Sequence, residues 1–352
     1  MSKFFPSAPR GSVLYVSTIL LGILAVLYLA SGYLSFTADN TFSNNMFTYQ
    51  IVEGYFLQSD PATPPVSLDK TRPTYFDYTK HNFGLVDQPG PYPSEGHYQD
   101  YKNLTQWQRF TRFLHALPLT SPPGTSFKVF YLARHGEGYH NIAEAFYGTE
   151  AWDEHWSKLE GNGTITWDDA HLTGLGEQQA RDAGRFLEQQ FGEEVLMPVP
   201  GEWVVSPLTR CLETANLTWG GLELPGEDGG EGAEFKPAIK EMVREVTGVH
   251  TCDRRSTRTI IHATVPEWAI EDGFAEQDEL WQADHREKWA EHDVRSRAFL
   301  DEVFAREDGS EVMSVTAHSG TIASLLRVTG HRKFPLPTGG MMPIFVKATR
   351  TT

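Results

Sequence analysis

Phe127-Lys-Val-Phe-Tyr-Leu-Ala-Arg-His-Gly-Glu-Gly-Tyr-His-Asn141 passes from an apolar run, broken only by Lys128, straight into a cluster of polar residues and glycines. Phe127–Ala133 is short and rich in β-branched and aromatic side chains, which predicts a buried strand. Arg134, His135 and the glycines beside them then fall where that strand ends. In open α/β sheets this is where ligand sites form.

Outward from this stretch, strand and helix patterns alternate. Thr173 predicts the cap of a helix over Gly174–Phe191, whose Ala180, Ala183, Leu187 and Phe191 share one face. Glu202–Val205 reads as a strand, and Ser206-Pro207 as the N-cap and first-turn proline of a helix ending near Leu217. Pro225–Ala233 reads as an acidic glycine loop. A long helix is expected over roughly Asp278–Arg306, a strand over Glu311–Ala317 and a helix from Gly320 to about Val328. This order predicts an α/β domain over residues 127–352, a three-layer α/β/α sandwich with a mostly parallel central sheet. Residues 37–126, rich in Pro, Tyr, Phe and Asp, read as an irregular wrap packed on that domain. Their one strongly periodic stretch, Tyr101–Leu117, puts Trp107, Phe110, Phe113, Leu114 and Leu117 on one helical face.

The whole chain has 352 residues, 40% of them hydrophobic, which is ample for a large core. Its net charge of −16 argues against a broad nucleic-acid footprint, so no nucleic-acid partner is expected. Cys211 and Cys252, the two cysteines, cannot build a disulfide framework or a four-thiolate zinc site. They read either as a pair in an oxidising compartment or as buried thiols.

The first 36 residues contain Lys3 and Arg10 and no acid, which leaves 28 basic against 46 acidic side chains, a net −18, on the remainder. Val13–Phe36 is uncharged for 24 residues, long enough to cross a hydrocarbon layer of about 30 Å as a helix. The expectation is a cytosolic N-terminus over 1–12 and a transmembrane anchor over 13–36 in the lipid bilayer. By the positive-inside rule the rest of the chain is then lumenal or extracellular. A cleaved signal peptide ending near Ala30-Ser31-Gly32 and a buried core helix are the alternatives. Asn103-Leu-Thr, Asn162-Gly-Thr and Asn216-Leu-Thr would be glycosylation acceptors in the secretory pathway.

Three strand-to-helix junctions carry the polar chemistry: Arg134-His135-Gly136, Ser206-Pro-Leu-Thr-Arg210, and His318-Ser319-Gly320-Thr321. Arginine's planar fork suits phosphoryl oxygens, and a neutral imidazole can carry a phosphoryl group covalently. No HExxH is present, and a site rich in arginine would repel a cation, so neither metal nor cofactor is expected.

These blocks resemble the histidine phosphatase superfamily in its phosphoglycerate-mutase-like branch, from about Lys128 to Leu326. The Arg-His-Gly box is followed by Asn141, then by Leu172-Thr173-x-x-Gly176 with Gln179-Ala180. Ser206-Pro-Leu-x-Arg210-x-x-x-Thr214-Ala215 and Ala317-His318-Ser319-Gly320-Thr321-Ile322 complete the order. The string RHGEGYHN resembles fungal and plant mutase-like proteins more than glycolytic mutases.

The resemblance implies that His135 is the nucleophile and that Arg134, Arg210 and His318 hold the phosphoryl oxygens, with Asn141 as a further phosphate contact. It implies a carboxylate general acid, best matched by Glu245, with Glu241 as the fallback. His140, His171 and Glu137 are read as structural or as supports behind the site residues. The basic knot Arg254, Arg255 and Arg258 reads either as a solvated loop or as a clamp for a second anionic group on the substrate. The implied function is a metal-independent phosphomonoester hydrolase acting on a small phosphorylated substrate. A phosphomutase is the first alternative, and an inactive phospho-ligand-binding scaffold is the alternative of another class.

Overall fold

The computed structural model describes residues 46–67, 74–95, 100–226 and 232–351. The run 13–36, read above as a transmembrane helix, lies outside them. Among the described residues no helix is long and apolar enough to cross a membrane.

In chain order the strands are β1 (Phe47–Ile51), β2 (Thr125–Arg134), β3 (Glu202–Val205), β4 (Pro237–Ile239), β5 (Ala269–Ile270), β6 (Val312–Ala317) and β7 (Met341–Arg350). They form one sheet in the order β1-β7-β2-β6-β3-β4-β5. Every pair from β2 to β5 is parallel, whereas β7 runs antiparallel to both β1 and β2. β2 is central and covered on both faces, which is why it reads as a near-continuous apolar run. Its Lys128 is buried too, with Nζ donating to the carbonyls of Gly309 and Ser310 at 3.0 and 2.5 Å.

The helices are α1 (Gln106–Thr120), α2 (Tyr139–Tyr147), α3 (Thr149–Glu154), α4 (Gly174–Phe191), α5 (Thr209–Trp219), α6 (Arg258–Thr264), α7 (Trp289–Ala305) and α8 (Ser319–Val328). Phe127, Val129 and Tyr131 of β2 pack with side chains of α1, α4 and α5. Phe130 and Leu132 point the other way, into a second core with α7 and α8. That alternation makes three layers.

Three expectations change. The described part of 37–126 is more than an irregular wrap, because β1 extends the main sheet and α1 buries Trp107, Phe110, Phe113 and Leu114. The helix expected from Ser206 begins at Thr209, since Asp169 takes the Thr209 N–H at 2.9 Å and its hydroxyl at 2.8 Å. The helix expected from Asp278 begins at Trp289, because the Asp278 carboxylate is drawn off to the Arg244 guanidinium and the N–H groups of Arg255, Leu280 and Trp281. The sheet also gains β4, β5 and the long β7, for which no expectation was made.

Candidate active site

Parallel register brings the three junctions level. Arg134 pairs with Ala317 and Val205 with Thr316, so His135, Ser206 and His318 leave the sheet side by side. The His135 N–H donates to Ala317 O at 3.0 Å and the Ser206 N–H to Thr316 O at 3.1 Å. The rings of His135 and His318 lie 5.1 Å apart between centroids.

His135 is buried, and Nδ1 sits 2.7 Å from Gly136 O. Only a protonated Nδ1 can make that bond, so the lone pair of the neutral ring is on Nε2. Burial, then Arg210 and Arg134, hold this imidazole well below the ordinary histidine range. His318 is depressed in the same way by burial and Arg210. Ser206 Oγ accepts the Leu208 N–H at 3.4 Å and lies 2.7 Å from His318 Nε2. A Ser206 hydroxyl that donates to Nε2 would leave Nδ1–H as the ring's donor.

Two arginines flank the histidines. Arg134 anchors Nη1 on Leu336 O at 2.8 Å. Arg210 is 1% exposed, with Nη1 on Cys252 O at 2.5 Å and Nη2 on Asp253 Oδ1 at 3.0 Å. The Nε of each is buried with no hydrogen-bond partner among the described residues. Buried donors of this kind are rare unless a ligand completes them.

The loop after His135 is held by the second and third sequence blocks. Thr214 Oγ1 accepts the Gly136 N–H at 3.0 Å while donating to Arg210 O at 2.7 Å. Gln179 Oε1 takes the Glu137 N–H at 2.8 Å, and Thr173 donates to Glu137 Oε1 at 2.8 Å. Gly136 and Gly176 approach so closely that a β-carbon on either would collide with the other segment's backbone.

Glu245 stands at the mouth of α8, accepting the Gly320 N–H at 3.1 Å on Oε2 and the Val246 N–H at 2.9 Å on Oε1. Its charge reaches both Arg134 and Arg210. The fallback, Glu241, is taken up by Arg255 at 2.5 Å and Arg244 at 2.9 Å. Asn141 receives the Gly138 N–H at 3.0 Å as a helix-capping partner, with no partner for Nδ2 among the described residues. Of the three residues read as structural, His140 is buried 5.4 Å from the His135 ring, His171 pairs with Glu213, and Glu137 is tied to Thr173.

The basic knot is not a free clamp. Arg254 is held by Asp168 and Glu160, and buried Arg255 by Glu241 and four carbonyls. Arg258 is exposed at the start of α6. Cys211 and Cys252 are free buried thiols, and burial pushes both upward in pKa. Among the described residues, His250, Cys252 and Asp253 are the one group close enough to share a metal ion. Its donor set does not suit one, since Asp253 already bridges Arg210 and Arg286 at 3.0 and 2.8 Å. Asp253 and Arg286 escaped the sequence reading, and no local pattern marks either.

A histidine phosphatase superfamily (branch 1) model matches residues 130–337. A probable phosphoglycerate mutase of Arthroderma benhamiae is 44% identical over 305 residues, covering 87% of this chain and 86% of the relative. Phosphomutase-like protein 3 of Candida albicans is 34% identical over 298 residues, covering 85% and 79%. A probable phosphoglycerate mutase of Saccharomyces cerevisiae is 34% identical over 279 residues, covering 74% and 94%. With the junction geometry, these likenesses make the chain an enzyme of the histidine phosphatase superfamily, branch 1, in its phosphoglycerate-mutase-like group.

Proposed function

We propose that the chain is a metal-independent phosphomonoester hydrolase working through a phosphohistidine at His135. One observation carries this reading: Arg134 Nε and Arg210 Nε are buried donors without partners among the described residues, beside a buried neutral imidazole. Each such donor costs about 1–3 kcal/mol, and a phosphoryl group seated between the arginines relieves both.

In this reading the His135 Nε2 lone pair attacks phosphorus in line, the N–P bond forms and the ester P–O bond breaks. Arg134, Arg210 and the Nδ1–H of His318 take the charge spread over the phosphoryl oxygens. Glu245 protonates the departing alkoxide, then as a carboxylate accepts a proton from the water that attacks the phosphohistidine. Inorganic phosphate leaves and His135 is regenerated.

The names of the fungal relatives favour a second reading, a phosphomutase, in which the phosphoenzyme returns the group to another oxygen of the substrate. Rapid quenching with ³²P-labelled substrate tests both. The label is expected on His135, acid-labile and absent from His135→Ala, and then in inorganic phosphate; recovery in an isomeric ester favours the mutase instead. Normal turnover by His135→Ala removes the nucleophile assignment, and loss of activity in EDTA removes metal independence.

From the sequence of residues 13–36 we also propose a membrane anchor with the enzyme on the lumenal or outer side. Asn103, Asn162 and Asn216 are all exposed, as acceptors must be. A glycosidase-sensitive, carbonate-resistant product in a eukaryotic host is expected; an unglycosylated cytosolic one overturns the reading.

A further inference from the structure

His140 stands in the first turn of α2 and takes no part in the phosphoryl-transfer steps above. Its ring centroid is 5.4 Å from that of His135, which lies 5.1 Å from that of His318. The nucleophile therefore has two imidazole neighbours at nearly equal distance. Gly138 makes room for the nearer part of this arrangement: a β-carbon there would sit 2.7 Å from His140 Nδ1, closer than packed atoms tolerate. The ring is thus seated against the loop that leaves His135.

Its two nitrogens are not equivalent. Nδ1 is sealed from solvent and has no hydrogen-bond partner among the described residues. Nε2 has no hydrogen-bond partner among them either, but it is not sealed, and it shares in the 9% of the residue that stays exposed. Burial, then Arg210, His135 and Arg134, hold the ring neutral, well below the ordinary histidine range. A neutral imidazole carries one N–H and one lone pair. An orphaned buried N–H is the rarer defect, so the lone pair belongs on the sealed Nδ1 and the hydrogen on the open Nε2.

Of the four titratable groups that act on this ring, three belong to the site: Arg210, His135 and Arg134, with His250 as the fourth. A phosphoryl group on His135 Nε2 projects its oxygens two bonds beyond the nucleophile's ring. Across a centroid separation of 5.4 Å, those oxygens can approach a neighbouring imidazole N–H to about 3 Å, the length of a hydrogen bond.

We propose that His140 Nε2–H is a further donor to the transferred phosphoryl group, beside Arg134, Arg210 and His318, and that it binds this group and not the leaving group. The proposal rests on the phosphoryl-transfer reading above and deepens it. As a neutral donor, His140 adds a hydrogen bond where two guanidiniums already supply the positive charge.

The test is a crystal structure of the wild-type enzyme with orthovanadate, which adopts five-coordinate geometry on a nucleophile. Vanadium is expected on His135 Nε2, with one of its oxygens within about 3.5 Å of His140 Nε2. Vanadium on His135 with every oxygen farther from His140 than that overturns this proposal alone. Vanadium absent from His135 removes the phosphohistidine reading as well. No variant is needed, so the outcome stands even where a substitution unfolds the chain.

Kinetics read the same contact in solution. His140→Phe keeps a ring and loses the donor, whereas His140→Gln places an amide N–H near the position of Nε2. His140→Phe should weaken orthovanadate inhibition by about tenfold or more, and lower kcat/KM by a similar factor for p-nitrophenyl phosphate and ethyl phosphate alike. His140→Gln should recover most of both. Unchanged vanadate inhibition alongside a lowered urea midpoint would mean a purely structural ring, and a loss on one ester alone would mean a leaving-group contact; either result overturns the proposal.

Discussion

Arg210 and Asp253 meet 3.0 Å apart in the interior, with side-chain exposures of 1% and 4%. The carboxylate stays ionised there: burial alone would raise its pKa, but Arg286 and Arg210 outweigh that and hold it below the ordinary value. The Arg210 charge reaches His135, so in the proposed mechanism the orientation of the phosphate clamp depends on a residue that need not touch phosphate.

Asp253→Asn should therefore injure both stability and catalysis. Removing one member of a buried pair costs about 3–5 kcal/mol. The freed guanidinium should also lower kcat/KM by on the order of tenfold to a hundredfold through misplacement. Urea denaturation and steady-state kinetics on the same preparation check both; undiminished kcat/KM would show that Arg210 is oriented by Cys252 O alone.

Replacement of Glu245 should depend on the leaving group. Glu245→Gln keeps an acceptor for the Gly320 N–H but cannot donate a carboxyl proton, so an alkyl phosphate should lose about 10²-fold or more in kcat. p-Nitrophenyl phosphate, whose leaving group scarcely needs protonation, should lose less than about tenfold. Equal losses on the two would remove the general-acid role. Glu241→Gln should show no such contrast and should mainly lower stability, since both its oxygens hold buried arginines.

Thr214→Val removes the acceptor for the Gly136 N–H. An unsatisfied buried N–H costs about 1–3 kcal/mol. Because Gly136 adjoins His135, kcat should fall while KM changes less. Thr214→Ser, which keeps the hydroxyl, should restore most of it.

The pH dependence follows from the depressed histidines. His135 and His318 are neutral in the folded enzyme well below pH 6.5, so the acidic limb of kcat/KM should lie below that value. Stability should move in the same direction. As pH falls through about 6.5 the unfolded chain takes up protons at His135, His140, His292 and His318, which the folded chain refuses. Each such histidine costs about 1.4 kcal/mol per pH unit until its folded pKa is reached. His171, raised by its bond to Glu213, opposes this by a single group. Urea midpoints at pH 7.5 and 5.5 measure the difference; equal midpoints would mean that these rings are not held neutral.

The fold's centre was legible wherever a segment's neighbours in sequence are also its neighbours in space. α4 begins and ends where the Thr173 cap and the apolar spacing put it, because a capping hydroxyl and a helical face act within one turn. The two antiparallel flanks of β7 were not legible. Its partners β1 and β2 lie hundreds of residues away, and nothing local distinguishes an inserted strand from a loop.

For the candidate site, the sequence alone singled out Arg134, His135, Arg210 and His318, since each is an unusual polar residue placed directly after a strand or at a helix start. Tertiary structure decided what surrounds them. Asp169 moved the start of α5, Glu241 was taken up by Arg244 and Arg255, and the arginines at 254 and 255 found carboxylate or carbonyl partners. Among the described residues, Arg134 and Arg210 kept an unpartnered Nε within reach of the Glu245 charge. The reason is physical: a charged side chain's chemistry depends on whether its hydrogen bonds and charge are already met, and those partners come from segments dozens of residues away.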